Sequence, residues 1–264
     1  MELARLPRSI RRDRVVPLAT DRGAFAPAGG TARAGLIRGI RPAAFAPPGR
    51  GPRSGLAGSA LGTGVKRSLD VAGAAIGLLA LLPLFALVAA MVRFSDGGGP
   101  VLYGHPRIGR DGRPFRCLKF RTMVVDGDAV LERHLLSDPA IRAEWEATSK
   151  LRDDPRVTRL GAVMRQFSID ELPQLINVVR GEMSLVGPRP IVRGELDRYG
   201  RSAMHYLSVR PGLTGLWQVS GRSDTTYRRR VACDRLYVQR WSLARDIMIV
   251  AKTVPVVCLS RGSY

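Results

Sequence analysis

The chain has 264 residues, with 42 Lys and Arg against 22 Asp and Glu, a formal net charge of +20. The length admits one or two domains, and 45% hydrophobic content excludes a wholly disordered chain. Cys117, Cys233 and Cys258, like His105, His134 and His205, are too scattered for a disulfide framework, a thiolate zinc site or a His-rich metal cluster. The charge calls for an anionic partner, whether nucleic acid, a membrane surface or phosphorylated substrates.

In chain order, residues 1–65 hold 11 Gly and 7 Pro, with Glu2, Asp13 and Asp21 as the acids. Such a segment buries too little apolar surface to offset chain entropy, so it reads as a disordered basic arm. Its Arg- and Ala-rich character also resembles an organelle transit peptide.

Residues 71–92 are 22 positions without a charge. As a helix they reach about 33 Å, enough for a bilayer core. They lie too far from Met1 for a signal peptide, and a buried core helix is the ordinary alternative. Pro83 removes a backbone donor near the middle. The flanks are alike, with net +10 over residues 1–69 and net +11 over residues 93–264. Positive flanks are retained in the cytoplasm, so a helix that enters, bends at Pro83 and returns suits both. A kinked transmembrane helix competes with it, because a large domain can be translocated regardless of charge. The domain reading is therefore an arm over 1–65, a re-entrant membrane helix over 66–94 and a globular domain over 95–264.

Within that domain, Val101–Ile108 and Phe115–Met123 read as strands joined at Asp111-Gly112. Asp126–Lys150 reads as helical with an interruption at Asp138-Pro139. Asp170–Val179 and Gly194–Leu207 read as shorter helices, and Thr225–Trp241 as a charged amphipathic one. Leu243–Leu259 is apolar with Arg245, Asp246 and Lys252 near one side, so it is either a core helix or an interfacial one.

The sharpest local feature is Ser168-Ile169-Asp170-Glu171-Leu172-Pro173-Gln174. Ser168 with Glu171 fits a capping box, and acids suit a first helical turn. A carboxylate beside bound phosphate can also attack phosphorus to form an acyl-phosphate. Arg165 lies five residues upstream. Two adjacent carboxylates facing a diphosphate would need a cation, by charge logic Mg²⁺, together with basic side chains. Strand alternation sets Lys119 and Arg121 on one face, either as such side chains or as solvated charge. Gly187-Pro188-Arg189-Pro190, Arg210-Pro211-Gly212-Leu213-Thr214-Gly215 and Gly221-Arg222 are turns whose backbone N–H groups can meet anions. Neither a P-loop nor a G-x-G-x-x-G motif occurs.

Lys66-Arg67-Ser68-Leu69-Asp70, Pro83, KFRTM at 119–123, DELPQL at 170–175, GEMSLVGPRP at 181–190 and RPGLTGLWQVSGR at 210–222 follow in that order. Together they strongly resemble the bacterial sugar transferase family, the monotopic polyprenyl-phosphate phosphoglycosyl transferases, over about residues 65–260. The chain looks like the short form that initiates exopolysaccharide. The resemblance implies an α+β fold: a membrane-embedded re-entrant helix broken at Pro83, with a compact, mostly helical cytoplasmic catalytic domain carrying a β-hairpin and amphipathic interfacial helices. It implies transfer of a sugar-1-phosphate from a UDP-sugar, with galactose or glucose the sugar, to undecaprenyl phosphate, with release of UMP, at the bacterial inner membrane. By the same resemblance Asp170 is the nucleophile that forms a phosphosugar-aspartyl intermediate. Glu171 is the second acid, linked with Asp170 to Mg²⁺, and Lys119 and Arg165 are basic catalytic positions. Arg121, Arg189, Arg210 and Arg222 fall to the nucleotide or phosphates. Some members carry Ser-Pro at the helix break, where this chain has Leu82-Pro83. Anionic inner-membrane lipid is the expected partner of the basic arm, a homodimer is left open, and nucleic acid is not expected. Trp145, Trp217 and Trp241 give no aromatic-basic stacking pattern. A non-catalytic membrane scaffold is the rival of another class, and the intact Asp170-Glu171 pair speaks against it.

Overall fold

The computed structural model describes residues 60–95, 98–148, 151–220 and 226–258. Residues 1–59, most of the predicted arm, lie outside that description, as does Arg222.

The first described elements are two helices, α1 (Ala60–Ala80) and α2 (Leu82–Phe94), bent by 63° where they meet. Helix α1 thus begins inside the segment read as the arm. Pro83 sits in the first turn of α2, where its missing N–H is tolerated, and Phe85 N donates to Leu81 O across the break. Among the described residues no single helix is long and apolar enough to cross a membrane, while this bent pair is so when taken together. One side of the pair packs inward. Ala74 meets Phe115, Leu175 and Val178, and Val88 and Val92 meet Phe120 and Met164. The other side leaves Ile76, Leu79, Leu82, Leu87 and Phe94 exposed, Phe94 by 87%.

The hairpin is present as expected. Strands β1 (Leu102–Ile108) and β2 (Pro114–Phe120) pair antiparallel from Leu102 opposite Phe120 to Ile108 opposite Pro114. Asp111 and Gly112 take the positive φ values, 58° and 76°, that such a turn demands. The next two helices, α3 (Gly127–Ser137) and α4 (Pro139–Thr148), break at Asp138, whose Oδ1 accepts Ala140 N at 2.7 Å.

Helix α5 (Arg159–Gln166) was not legible in the sequence; Thr158 caps it by accepting Gly161 N at 2.8 Å. A helical turn over Ile169–Glu171 leads into α6 (Gln174–Arg180), so the predicted helix over Asp170–Val179 is two pieces divided at Pro173. Strands β3 (Ser184–Val186) and β4 (Gly212–Thr214) form an unforeseen parallel pair. Between them, the predicted helix over Gly194–Leu207 is split into short turns that include α7 (Leu196–Tyr199) and α8 (Ala203–Leu207), with Gly200 at φ 50°. Helices α9 (Tyr227–Gln239) and α10 (Leu243–Cys258) close the described chain.

Helix α10 exposes Ile247, Val250 and Val254. Asp246, however, does not join an outer charged side. It is buried and receives Tyr237 OH at 2.8 Å, Trp241 Nε1 at 3.0 Å and the Lys66 ammonium at 2.8 Å. Lys66 also pairs with Asp70 at 3.0 Å, and Asp70 accepts Ser184 Oγ at 2.8 Å. A buried charged network thus ties α1 to β3 and α10, matching the rule that buried charges are paired. The architecture is α+β, mostly helical, with two small two-stranded sheets.

Candidate active site

Alternation along the hairpin places Tyr103, His105 and Arg107 of β1 on the same face as Cys117 and Lys119 of β2. The free edge of β2 is covered by a side chain. Asn177, fully buried on α6, accepts Leu118 N at 2.9 Å and donates to Arg116 O at 2.8 Å. This carboxamide fixes the register of α6 against the strand that carries Lys119.

The turn before α6 delivers the two acids. Ser168 adopts φ 56°, in the left-handed region, and makes no side-chain cap. The capping-box reading of Ser168 with Glu171 therefore fails: the left-handed residue turns the chain instead of capping it. Asp170 is buried, and Lys119 Nζ lies 3.2 Å from Asp170 Oδ2 and 2.7 Å from Glu171 Oε1. One ammonium bridges two carboxylates. Burial pushes the Asp170 carboxyl above the usual carboxylate range, and Glu171 adds to this, while Lys119 opposes it. Burial by itself would lower Lys119, but Glu171 and Asp170 outweigh it and hold the ammonium above its ordinary value.

Arg165, at the end of α5, donates Nε to Thr122 Oγ1 at 3.0 Å, and its field favours ionised Asp170. It belongs to the cluster. Arg189 does too: it lines the same pocket as Lys119 and Glu171 and stacks 5.9 Å over the Trp217 ring. Arg121 and Arg210 are used elsewhere. Arg121 donates to Val92 O in the last turn of α2 and to Gly98 O beyond it. Arg210 donates to Gly181 O at 2.7 Å, beside Arg67, which donates to Val178 O at 2.7 Å and Val179 O at 3.0 Å. Orphan carbonyls and the negative dipole end of α6 attract these cations.

The glycine motifs also have another use. Gly187 N donates to Thr214 O at 2.9 Å and Gly212 N to Pro188 O at 2.8 Å. A Cβ on Gly212 or Gly215 would overlap the backbone of Gly187. These glycines permit two segments to pack backbone to backbone, and the N–H groups of Gly187 and Gly212 are spent on carbonyls, not anions.

The pocket, a shallow one, adds residues that sequence reasoning passed over: His105, Arg107, Gln174 and Gln218. Their signal was the i, i+2 spacing of His105 and Arg107 on a strand. Arg107 donates to Pro190 O at 3.3 Å, and burial, then Arg189, lowers its pKa. Lys119 is balanced by Asp170 and Glu171 and Arg107 by Glu195 at 3.8 Å, and Arg189 adds a further positive charge that favours an anion in the pocket. The Cys117 thiol is pushed up to about 11 by burial, so it stays protonated near neutrality and does not serve as a nucleophile.

Among the described residues no three His, Cys, Asp or Glu side chains gather as a metal cage. Two adjacent carboxylates nevertheless fit Mg²⁺, which is commonly held by one or two carboxylates with substrate phosphate and water completing its shell.

Residues 61–260 match the family described as bacterial sugar transferase. Among curated proteins the chain is 60% identical over 199 residues to "Exopolysaccharide production protein ExoY" of Sinorhizobium fredii, covering 75% of this chain and 88% of that protein. It is 48% identical over 200 residues to "Undecaprenyl-phosphate galactose phosphotransferase" of Salmonella typhimurium, covering 76% of this chain and 42% of that protein. It is 42% identical over 207 residues to "UDP-glucose:undecaprenyl-phosphate glucose-1-phosphate transferase" of Caulobacter vibrioides, covering 75% of this chain and 72% of that protein.

Proposed function

The chain belongs to the bacterial sugar transferase family and is a transferase, and from that premise we propose that it moves a hexose-1-phosphate from a UDP-sugar to undecaprenyl phosphate at the cytoplasmic membrane face, releasing UMP. The observation that carries this reading is the Lys119 ammonium bridging Asp170 and Glu171 beside a pocket lined by Arg107 and Arg189.

In the proposed reaction the diphosphate is drawn to Arg107, Arg189 and Lys119. An Asp170 carboxylate oxygen attacks the sugar-bearing phosphorus. The bond from that phosphorus to the bridging oxygen breaks, and UMP leaves with the electron pair. The acyl-phosphate on Asp170 is then attacked by a phosphate oxygen of undecaprenyl phosphate, which restores the carboxylate and forms the lipid diphosphate sugar. Burial keeps Asp170 poorly hydrated, and Lys119 favours its ionised form. Mg²⁺ held by Asp170 and Glu171 with the donor phosphates would neutralise charge on the leaving UMP. Glu171 and Lys119 then orient Asp170.

The exposed apolar side of the α1–α2 pair and that of α10 suit a lipid surface, with the pair entering and leaving one leaflet around Pro83. Anionic lipid is the natural neighbour of the basic segment that precedes it.

Purified full-length chain incubated with UDP-galactose or UDP-glucose, Mg²⁺ and undecaprenyl phosphate should release UMP. Asp170→Asn should not, and wild type without acceptor should retain a labelled sugar-phosphate. Undiminished UMP release by Asp170→Asn overturns the assignment. For topology, cysteines introduced at Arg53 and Arg110 should both resist a periplasmic thiol reagent, and labelling of one alone indicates a span.

A further inference from the structure

The cations of the pocket account for phosphates, which only accept hydrogen bonds. His105 is of the opposite kind. Its Nδ1 lies 3.0 Å from Pro106 O. A carbonyl only accepts, so Nδ1 carries the proton and donates. Burial, then the neighbouring Arg107, lowers the imidazole pKa below its ordinary 6.5, so the ring is neutral at pH 7. Nε2 is therefore left with a lone pair: an acceptor on a residue that lines a pocket otherwise rich in donors.

Its place in the sheet limits what can donate to it. Tyr103 stands opposite Lys119 and His105 opposite Cys117, so His105 is the diagonal neighbour of Lys119 on one face of the hairpin. Lys119 contacts Asp170. On the proposed function, the phosphorus attacked by Asp170 carries the hexose, so the sugar is held on the Lys119 side of the pocket. Among the other acceptors of the pocket, Glu171 is engaged by Lys119 at 2.7 Å, while Gln218 Oε1 is buried without a hydrogen-bond partner and is a second group that a sugar hydroxyl can meet. The Tyr103 ring meets the imidazole edge-on, with centroids 6.1 Å apart, which helps hold its orientation.

We propose that His105 Nε2 accepts a hydrogen bond from a hydroxyl of the donor hexose and so helps decide which hexose phosphate is transferred. This deepens the proposed function and rests on it. A pocket group built to accept from a hydroxyl discriminates between epimers, because the wrong epimer leaves it unpaired.

The test is steady-state kcat/KM for UDP-galactose and UDP-glucose, which are epimers, in wild type, His105→Leu and His105→Gln, with inhibition by UMP as a control for the nucleotide and phosphate contacts. His105→Leu should lose about tenfold in kcat/KM for the preferred hexose and less for its epimer, with UMP inhibition within about twofold of wild type. His105→Gln, which keeps an acceptor and remains informative if the leucine variant misfolds, should change the ratio between the two hexoses by about fivefold or more. An unchanged ratio in both variants, with wild type active, overturns the role of His105 alone. Wild type that transfers from no UDP-hexose overturns the proposed function, and this inference with it.

Discussion

Asn177 pairs with Leu118 as though α6 were a strand: its carboxamide oxygen accepts the Leu118 N–H at 2.9 Å, one residue before Lys119. Its Nδ2 reaches Arg116 O at 2.8 Å and Glu182 Oε2 at 2.6 Å. Because α6 continues from the turn that carries Asp170, this one side chain sets the distance between ammonium and carboxylate.

Asn177→Leu should therefore cost about 1–3 kcal/mol, since the N–H of Leu118 and the carbonyl of Arg116 lose their partners. Chemical denaturation in detergent reads the stability. UMP release should fall in the folded fraction as well, because Lys119 loses its alignment.

Lys119→Met should lower kcat by roughly 10²–10³ and move the acid limb of the pH profile upward. Asp170 must be ionised to attack, so activity is lost as pH falls through its pKa. Burial and Glu171 already raise that pKa, and Lys119 holds it down. Without the ammonium, ionisation needs higher pH. An acid limb that stays in place counts against Asp170 as the titrating nucleophile.

Lys66 stands between Asp70 at 3.0 Å and Asp246 at 2.8 Å, both buried. Lys66→Met takes the counter-charge from two buried carboxylates and should destabilise by about 3–5 kcal/mol. Adding Asp246→Asn should recover part of the melting temperature. No recovery would mean that the lysine acts by packing.

Gly161 is the point where α5 meets the strand-end carbonyl of Thr122, and a Cβ there would overlap it. Gly161→Ala should push α5 away, loosen Arg165 from Thr122, and lower both the melting temperature and kcat.

Asp234 is 3% exposed and accepts Tyr199 OH at 2.8 Å. Burial raises its pKa from 3.8 to about 7, with Tyr199, Arg230 and Arg189 opposing. The folded value is the higher one, so this contribution is fully present below about pH 4 and is lost as pH rises through 7. That rise corresponds to about 4 kcal/mol at most. Asp234→Asn should melt higher than wild type at pH 8, with the gap closing toward pH 5. A gap independent of pH would rule out this titration.

The residues that could be read in advance are those whose meaning is local. Asp111-Gly112 announces a hairpin because only positive φ closes it, and it does so. Pro83 announces a break because proline lacks an N–H, and the helices bend beside it. Asp170, Glu171 and Lys119 stood in motifs whose order carried the family resemblance, and the fold brings the three within hydrogen-bonding distance. Arg121 and Arg210 looked equivalent to Arg189, yet they bind helix-end carbonyls. Nothing in a guanidinium's own sequence context says whether a carbonyl or a phosphate will reach it first.

The parallel pair of β3 and β4 shows the same limit. Each strand is three residues long, and 25 residues separate Val186 from Gly212. Such pieces carry no readable period, and Gly187, Gly212 and Gly215 looked like anion turns until their backbones were seen in contact.

Sequence alone determined the charge, its even division across the apolar run, the acidic pair and the family. Tertiary structure decided which cations face that pair, that Asn177 sets its register, and that His105 shares a pocket with Lys119. The physical reason is that ionisation, burial and hydrogen-bond direction belong to the space between segments, and those segments are up to 113 residues apart, from His105 to Gln218, in the chain.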